Sequence, residues 1–215
     1  GGVTCVTGVS GSGKSSLVSL LADNFNKSTT NGCEKVGFPS SIKKIYKVNQ
    51  QPIGKTPRST VVSYLGIYDF IRNAFANTDA ASELGLEPSD FSMNVVGGRC
   101  ENCQGTGKVK IELQYLPDSF VECPVCKGKR FKEEILMVKY GGMNIDEILS
   151  KPILELYNSF NNLEDVKPMI ECMMNLGLGY LSLGQMSMTL SGGEAQRVKL
   201  AKALGVRNNG ENLRS

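Results

Sequence analysis

Eight residues near the start of this chain, Gly8-Val9-Ser10-Gly11-Ser12-Gly13-Lys14-Ser15, have the types and spacing needed to hold a phosphate. The glycines of a G-x-x-x-x-G-K-[S/T] loop let the backbone wrap an anion without Cβ clashes. Its N–H groups and the following helix N-terminus point at that anion. Lys14 would reach the β- and γ-phosphates of ATP, and the Ser15 hydroxyl, with Ser16 beside it, would hold Mg²⁺. Cysteines supply a second set. Cys100-x-x-Cys103 and Cys123-x-x-Cys126 are separated by 19 residues, the spacing of a four-cysteine Zn²⁺ site. Four thiolates close a tetrahedral shell and leave no position for water, so such a zinc is structural.

A third set lies towards the other end, in Leu190-Ser191-Gly192-Gly193-Glu194. Ser191 and Glu194 have the spacing of a capping box, and the apolar residues that follow recur at helical spacing. Two glycines in a first turn disfavour a helix by about 1 kcal/mol each. Their presence implies that something approaches this backbone closely, and an anion at the helix N-terminus meets that requirement.

The elements that must position these groups follow from periodicity. Val3 to Thr7 reads as a strand running into the glycine loop, and Lys14 to Phe25 as a helix. Residues 27–41 read as a loop, and Ile42 to Val48 as a second strand. Helices are predicted over 60–76, 145–150, 163–176 and 191–204, and a strand from Val109 to Leu116.

Composition bounds the rest. In 215 residues, 40% hydrophobic and 21% charged, the net charge is +3, too small to argue for nucleic acid by itself. No apolar run is long enough to span a membrane and no secretory leader pattern opens the chain, so a cytoplasmic protein is expected. Seven cysteines, four of them in paired Cys-x-x-Cys spacing, suit metal ligation better than a disulfide framework. There is no histidine, which removes histidine-based catalysis and any mixed Cys/His metal site.

Several longer runs carry a resemblance. Leu190-Ser-Gly-Gly-Glu-Ala-Gln-Arg197 is similar to the signature of ATP-binding-cassette (ABC) ATPases. The glycine loop, Gln50-Gln-Pro-Ile-Gly-Lys-Thr-Pro-Arg-Ser59, Gly97-Gly-Arg-Cys-Glu-Asn-Cys103, Leu116-Pro-Asp118, Cys123-Pro-Val-Cys-Lys-Gly-Lys-Arg130 and Gly177-Leu-Gly-Tyr-Leu-Ser-Leu-Gly-Gln185 all resemble the UvrA family, in its C-terminal half. The cysteine repeat is also similar to that of DnaJ-type chaperones, which use four repeats for two zincs where this chain has two.

The UvrA resemblance covers roughly residues 3–204. It implies an α/β fold: an ABC-type P-loop ATPase head carrying an inserted DNA-contacting domain and a four-cysteine zinc module. The implied organisation is residues 1–54 as the first part of the head, 55–96 as an inserted helical domain, 97–132 as the zinc module, 133–204 as a helical segment with the signature, and 205–215 as a frayed tail. Gln50 is placed like the glutamine that senses Mg²⁺ and the γ-phosphate, and Lys55, Arg58, Lys108 and Lys110 are candidate DNA contacts. The implied partners are duplex DNA, another ABC head (a second copy or the missing half of the chain) and UvrB, through an N-terminal half absent from these residues. The implied role is damage recognition in bacterial nucleotide excision repair. The alternative is a UvrA-like paralogue, acting as a nucleotide- and zinc-binding module or in antibiotic resistance.

Past the signature the family continues to a hydrophobic strand ending in Asp-Glu and then a histidine. Neither follows here, and Asp146-Glu147 precedes the signature in the wrong element. The expectation is that this chain is one part of a larger machine and hydrolyses no ATP alone, lacking a carboxylate to polarise the attacking water.

Overall fold

A computed structural model describes residues 2–27, 36–49, 51–54, 56, 58–111 and 119–205, which fall into two units, one ending at Asn49 and the other starting at Gln50. Gln50, Lys55, Leu116-Pro-Asp118 and the tail beyond Gly205 lie outside the described residues.

In the first unit, helix α1 spans Lys14–Lys27 and starts directly on the last glycine of the loop. Ala22 and Asn24 are buried, whereas Leu17, Val18 and Leu21 on the same helix are largely exposed. Phe25 meets Phe38 edge-on at 4.9 Å, an arrangement aromatic rings favour. The strands expected at Val3–Thr7 and Ile42–Val48 do not form among the described residues. A strand is a long-range pairing of N–H and C=O groups, which a local alternation of side chains does not supply. Val3 is fully exposed.

The second unit is mainly helical: α2 (Val61–Leu65), α3 (Tyr68–Ala76), α4 (Asp79–Glu83), α5 (Glu133–Met137), α6 (Ile145–Ser150), α7 (Ile153–Leu156), α8 (Lys167–Asn175) and α9 (Gly192–Gly205). Its sheet is one antiparallel pair, β1 (Lys108–Ile111) with β2 (Ser119–Glu122), in register Lys108↔Glu122 and Lys110↔Phe120. Among the described residues there is no parallel sheet of the kind an ATPase head contains.

The helix expected over 60–76 is two helices, because Gly66 adopts a left-handed φ of 80° and closes α2 by donating its N–H to Ser63. α8 starts at Lys167, later than periodicity suggested, with Pro168 in its first turn, where a missing N–H costs nothing. α6 matches its expected span and opens on a full capping box, Asn144 with Glu147. Asp146-Glu147 therefore lies in a helical first turn and ends no strand. The core gathers Phe75, Phe91, Phe131, Phe160, Ile135, Ile148, Leu149 and Ile170, each 1% exposed or less, and burial of one such side chain stabilises by about 1.5–3 kcal/mol. α8 packs on α9, and Gly205 lies so close to Met169 that a Cβ would fall 2.8 Å from its sulfur. No helix among the described residues is long and apolar enough to cross a membrane.

Candidate functional site

The cysteine cluster is built from two turns of the same design. Each runs Cys-x-x-Cys and then reverses through left-handed residues: Gln104 (φ 52°), Gly105 (83°) and Gly107 (75°) in the first, Lys127 (49°), Gly128 (76°) and Arg130 (70°) in the second. Each residue of the second turn stands 23 positions after its counterpart in the first. The turns also exchange hydrogen bonds reciprocally. The Cys100 N–H donates to the Arg130 carbonyl at 2.8 Å, and the Cys123 N–H donates to the Gly107 carbonyl at 3.0 Å. The same relation links the bridge Arg99↔Phe131 to the ladder pair Lys108↔Glu122. The doubled cysteine pair noted in the sequence is thus an internal repeat that includes backbone conformation and pairing.

This repeat brings all four sulfurs within 4.8 Å of one another, each from a buried cysteine. Cys100 and Cys123 sulfurs lie 3.9 Å apart, and those of Cys103 and Cys126 lie 3.6 Å apart. All four thiols are free, with no disulfide among them. A tetrahedral zinc with Zn–S bonds of about 2.3 Å needs sulfurs about 3.8 Å apart, which those two separations bracket. Donors reach the sulfurs from outside: the Gly107 N–H to Cys103 at 3.3 Å and the Asn102 amide to Cys123 at 3.2 Å. Burial raises the Cys123 thiol, but bonds from the Cys126 backbone and the Asn102 side chain outweigh it and bring the pKa down to about 6. Burial pushes the Cys103 and Cys126 thiols up. One sulfur is therefore readily a thiolate and its neighbours resist joining it, a conflict that a divalent cation resolves by deprotonating all four. The donor set fits Zn²⁺, with no place for a catalytic water.

The phosphate loop belongs to the first unit. Gly11 and Gly13 both take φ near 82°, open to glycine and strained for other residues, and a Cβ on Gly8 would meet the Ser12 hydroxyl at 2.9 Å. The Lys14 ammonium folds back over the loop, donating to the carbonyls of Gly8 at 2.8 Å and Val9 at 2.6 Å and to the Ser12 hydroxyl at 3.3 Å. Val9, Ser10, Ser15 and Ser16 are exposed, the two last in the first turn of α1.

At the start of α9 the capping box is present as read. The Glu194 N–H donates to the Ser191 hydroxyl at 3.3 Å, and the Ser191 N–H donates to the Glu194 carboxylate at 2.7 Å. A Cβ on Gly192 or Gly193 would meet nothing within 4 Å, so the first-turn backbone faces open space. The Tyr180 hydroxyl donates to the other Glu194 oxygen at 2.5 Å. That bond and the Ser191 N–H hold the Glu194 carboxyl below its usual range. Leu190 is half-buried.

Arg58 is exposed and donates to the Gln104 side chain at 2.8 Å, next to a cysteine knuckle. Lys108 and Lys110 are exposed on β1. Arg130, Asn102 and Tyr180 were not anticipated. The 23-residue offset, which puts Arg130 opposite Gly107, is a signal that could have found the first; Asn102 and Tyr180 carry no periodic or motif signal.

No protein-family model matches the chain. Among curated proteins it is similar to UvrABC system protein A of Clostridium tetani, 47% identical over 220 residues, covering 99% of this chain and 23% of the relative. The protein of the same name from Staphylococcus aureus is 46% identical over 218 residues, covering 98% and 23%. Among solved structures it resembles UvrA2 from Deinococcus radiodurans, with a TM-score of 0.79 and 44% identity over 92% of this chain and 24% of that one. The chain thus spans about a quarter of the length of the relatives it matches.

Proposed function

The chain is a UvrA-type sequence, and on that premise we propose that it forms part of an ABC ATPase of the UvrA kind, the damage-recognition subunit of nucleotide excision repair, acting in the cytoplasm. In this reading the amides of the Gly8–Gly13 loop and Lys14 bind the phosphates of ATP, with Ser15 and Ser16 at the Mg²⁺. The open first turn at Ser191–Glu194 receives the γ-phosphate held by another ABC head, and Gln50 senses the same group. Cys100, Cys103, Cys123 and Cys126 hold one structural zinc, which supplies folding free energy and takes no part in hydrolysis. Duplex DNA is bound in an ATP-dependent manner, with Lys55, Arg58, Lys108 and Lys110 as phosphate contacts. UvrB is engaged through residues outside this chain.

The observation that carries the reading is the Lys14 ammonium drawn across the loop carbonyls at 2.6 and 2.8 Å, at the mouth of a glycine turn that feeds straight into a helix. Titration with a fluorescent ATP analogue and Mg²⁺ tests it. The 215-residue chain should bind and Lys14→Ala should lose binding by about 10-fold or more, on the order expected when a phosphate loses a charge-assisted hydrogen bond; equal affinity would refute the assignment. The same polypeptide, which has no apolar strand ending in Asp-Glu after the signature, should turn over ATP at background rate, general-base help being worth about 10²–10⁴-fold. Steady turnover that vanishes in Lys14→Ala would mean a carboxylate elsewhere does this work. The similarity to UvrA2 supports a second reading, a UvrA-like paralogue with the same elements and a different cellular role.

A further inference from the structure

The two cysteine knuckles share their cysteines and first glycine in register, Cys100 with Cys123, Cys103 with Cys126 and Gly105 with Gly128, whereas Gly107 in the first is matched by Arg130 in the second. Both residues take a left-handed φ, 75° and 70°. Glycine adopts that conformation freely, whereas a residue with a Cβ pays roughly 1–2 kcal/mol for it. A glycine would hold the second knuckle at no such cost, but it could not make the bonds that the arginine side chain makes.

That side chain leaves the module. The Arg130 guanidinium Nη1 donates to the Gly184 carbonyl at 2.9 Å and lies 3.7 Å from the Met93 sulfur. Gly184 is fitted to receive it. A Cβ there would stand 2.8 Å from Nη1 and 2.7 Å from the Leu149 carbonyl, to which the Gly184 N–H itself donates at 2.7 Å. Backbone bonds secure the surrounding segment. Leu183 and Gln185 carbonyls accept from Val62 and Val61, and the Ser187 N–H donates to Ser59 at 2.7 Å. A short 3-10 turn, Ser187–Thr189, then leads to Leu190, Ser191 and the start of α9. At the other end of the same residue, the Arg130 carbonyl accepts the Cys100 N–H.

We propose that Arg130 is a positioning residue: it couples the four-cysteine cluster to the Gly184–Ser187 segment, and so to the open N-terminus of α9. The coupling rests on reading the cysteines as a zinc site. Loading the cluster fixes the second knuckle, and with it the guanidinium that anchors Gly184. Losing the metal frees both.

Backbone amide exchange at Gly184, Gln185 and Ser187, followed in zinc-loaded and chelated chain, tests this without any nucleotide. In the parent chain, chelation should speed exchange at these amides about tenfold, the scale of losing one hydrogen bond from a charged donor. Arg130→Gly should still bind one zinc, since Gly107 shows that a glycine suits the knuckle. Its Gly184–Ser187 amides should exchange about tenfold faster even when loaded, and should no longer respond to chelation. Arg130→Gln keeps bulk at the position without the charge and should uncouple in the same way, while Arg130→Lys should recover part of the response. Zinc that loads normally while these amides ignore chelation in the parent, or follow it unchanged in Arg130→Gly and Arg130→Gln, overturns the coupling. A parent chain that takes up no zinc overturns the metal reading instead.

Discussion

The phosphate loop and the cysteine cluster both arrange polar groups around room for one charged guest, by opposite routes. The loop draws on eight consecutive residues, leaves most of them exposed, and makes its shape from left-handed glycines and a lysine bonded to carbonyls five and six residues away. The cluster draws on two separate turns, buries all four sulfurs, and is closed by hydrogen bonds that each turn gives to the other. The difference teaches where each guest's contribution must appear. A loop shaped by neighbouring residues should keep its form whether or not it is occupied. Four buried sulfurs drawn from two separate turns should owe their closure to the cation, and burial pushes the Cys103 and Cys126 thiols up when none is bound.

The largest expected effect follows from that contrast. Cys123→Ser should abolish the single zinc, read by elemental analysis, and unfold residues 97–132, read by loss of exchange protection. A structural zinc of this type supplies about 10 kcal/mol or more of apparent binding free energy. Zero or two zincs in the parent chain would break the comparison at its base. Lys14→Ala, by contrast, should leave the melting temperature within about 1–2 °C of the parent while removing nucleotide binding, as expected of an exposed side chain bonded only to its own loop. A large loss of stability would show that the loop is not the self-contained element described.

A smaller effect probes the body that carries the cluster. The Tyr68 hydroxyl is buried, donates to the Phe91 carbonyl at 2.9 Å and accepts the Met93 N–H at 3.2 Å, holding the segment against which the first knuckle's Gly105 packs. Tyr68→Phe should cost about 1–3 kcal/mol in denaturant unfolding, because it strands two buried backbone groups. Burial pushes the Tyr68 pKa up to about 12 from 10.0. The folded chain favours the neutral phenol, so this stabilisation is complete below pH 10 and is lost as pH rises from 10 towards 12. The tyrosine-to-phenylalanine difference measured across that range checks the sign.

The smallest effect concerns the cap of α9. Ser191→Ala should destabilise by about 1 kcal/mol, the usual cost of deleting an N-cap hydroxyl. Glu194 is held below the normal carboxylate range, so its bonds to Tyr180 and Ser191 stabilise above that range and weaken as pH falls through it. Tyr180→Phe should flatten that acid-side dependence.

Legibility followed the range of the interactions. The α6 span, the α9 start with its capping box, the α1 start at Lys14 and the gathering of Cys100, Cys103, Cys123 and Cys126 were readable because each depends on a motif or a short-range period. The strands expected at Val3–Thr7 and Ile42–Val48 do not form among the described residues, because alternation of side chains is a local pattern whereas a strand is a long-range pairing. The split of α2 from α3 was missed at Gly66, whose left-handed φ ends one helix inside a pattern that stays amphipathic through it. Helices α4, α5 and α7 are four or five residues long, below the length at which periodicity is visible, and packing holds them.

By itself the sequence determined what depends on residue type and near spacing: a glycine turn able to wrap a phosphate, two thiol pairs able to close on a metal, and a serine–glutamate cap on a glycine-opened helix. Tertiary structure alone decided how these connect. It set one cysteine turn against another in a reciprocal repeat, placed Arg130 in a left-handed backbone facing Gly184, and laid Tyr180 across Glu194. The reason is physical. Backbone conformation and capping are settled within a few residues, whereas the partner of a hydrogen bond 54 residues away, such as Gly184 for Arg130, is chosen only when the apolar core brings the two segments together.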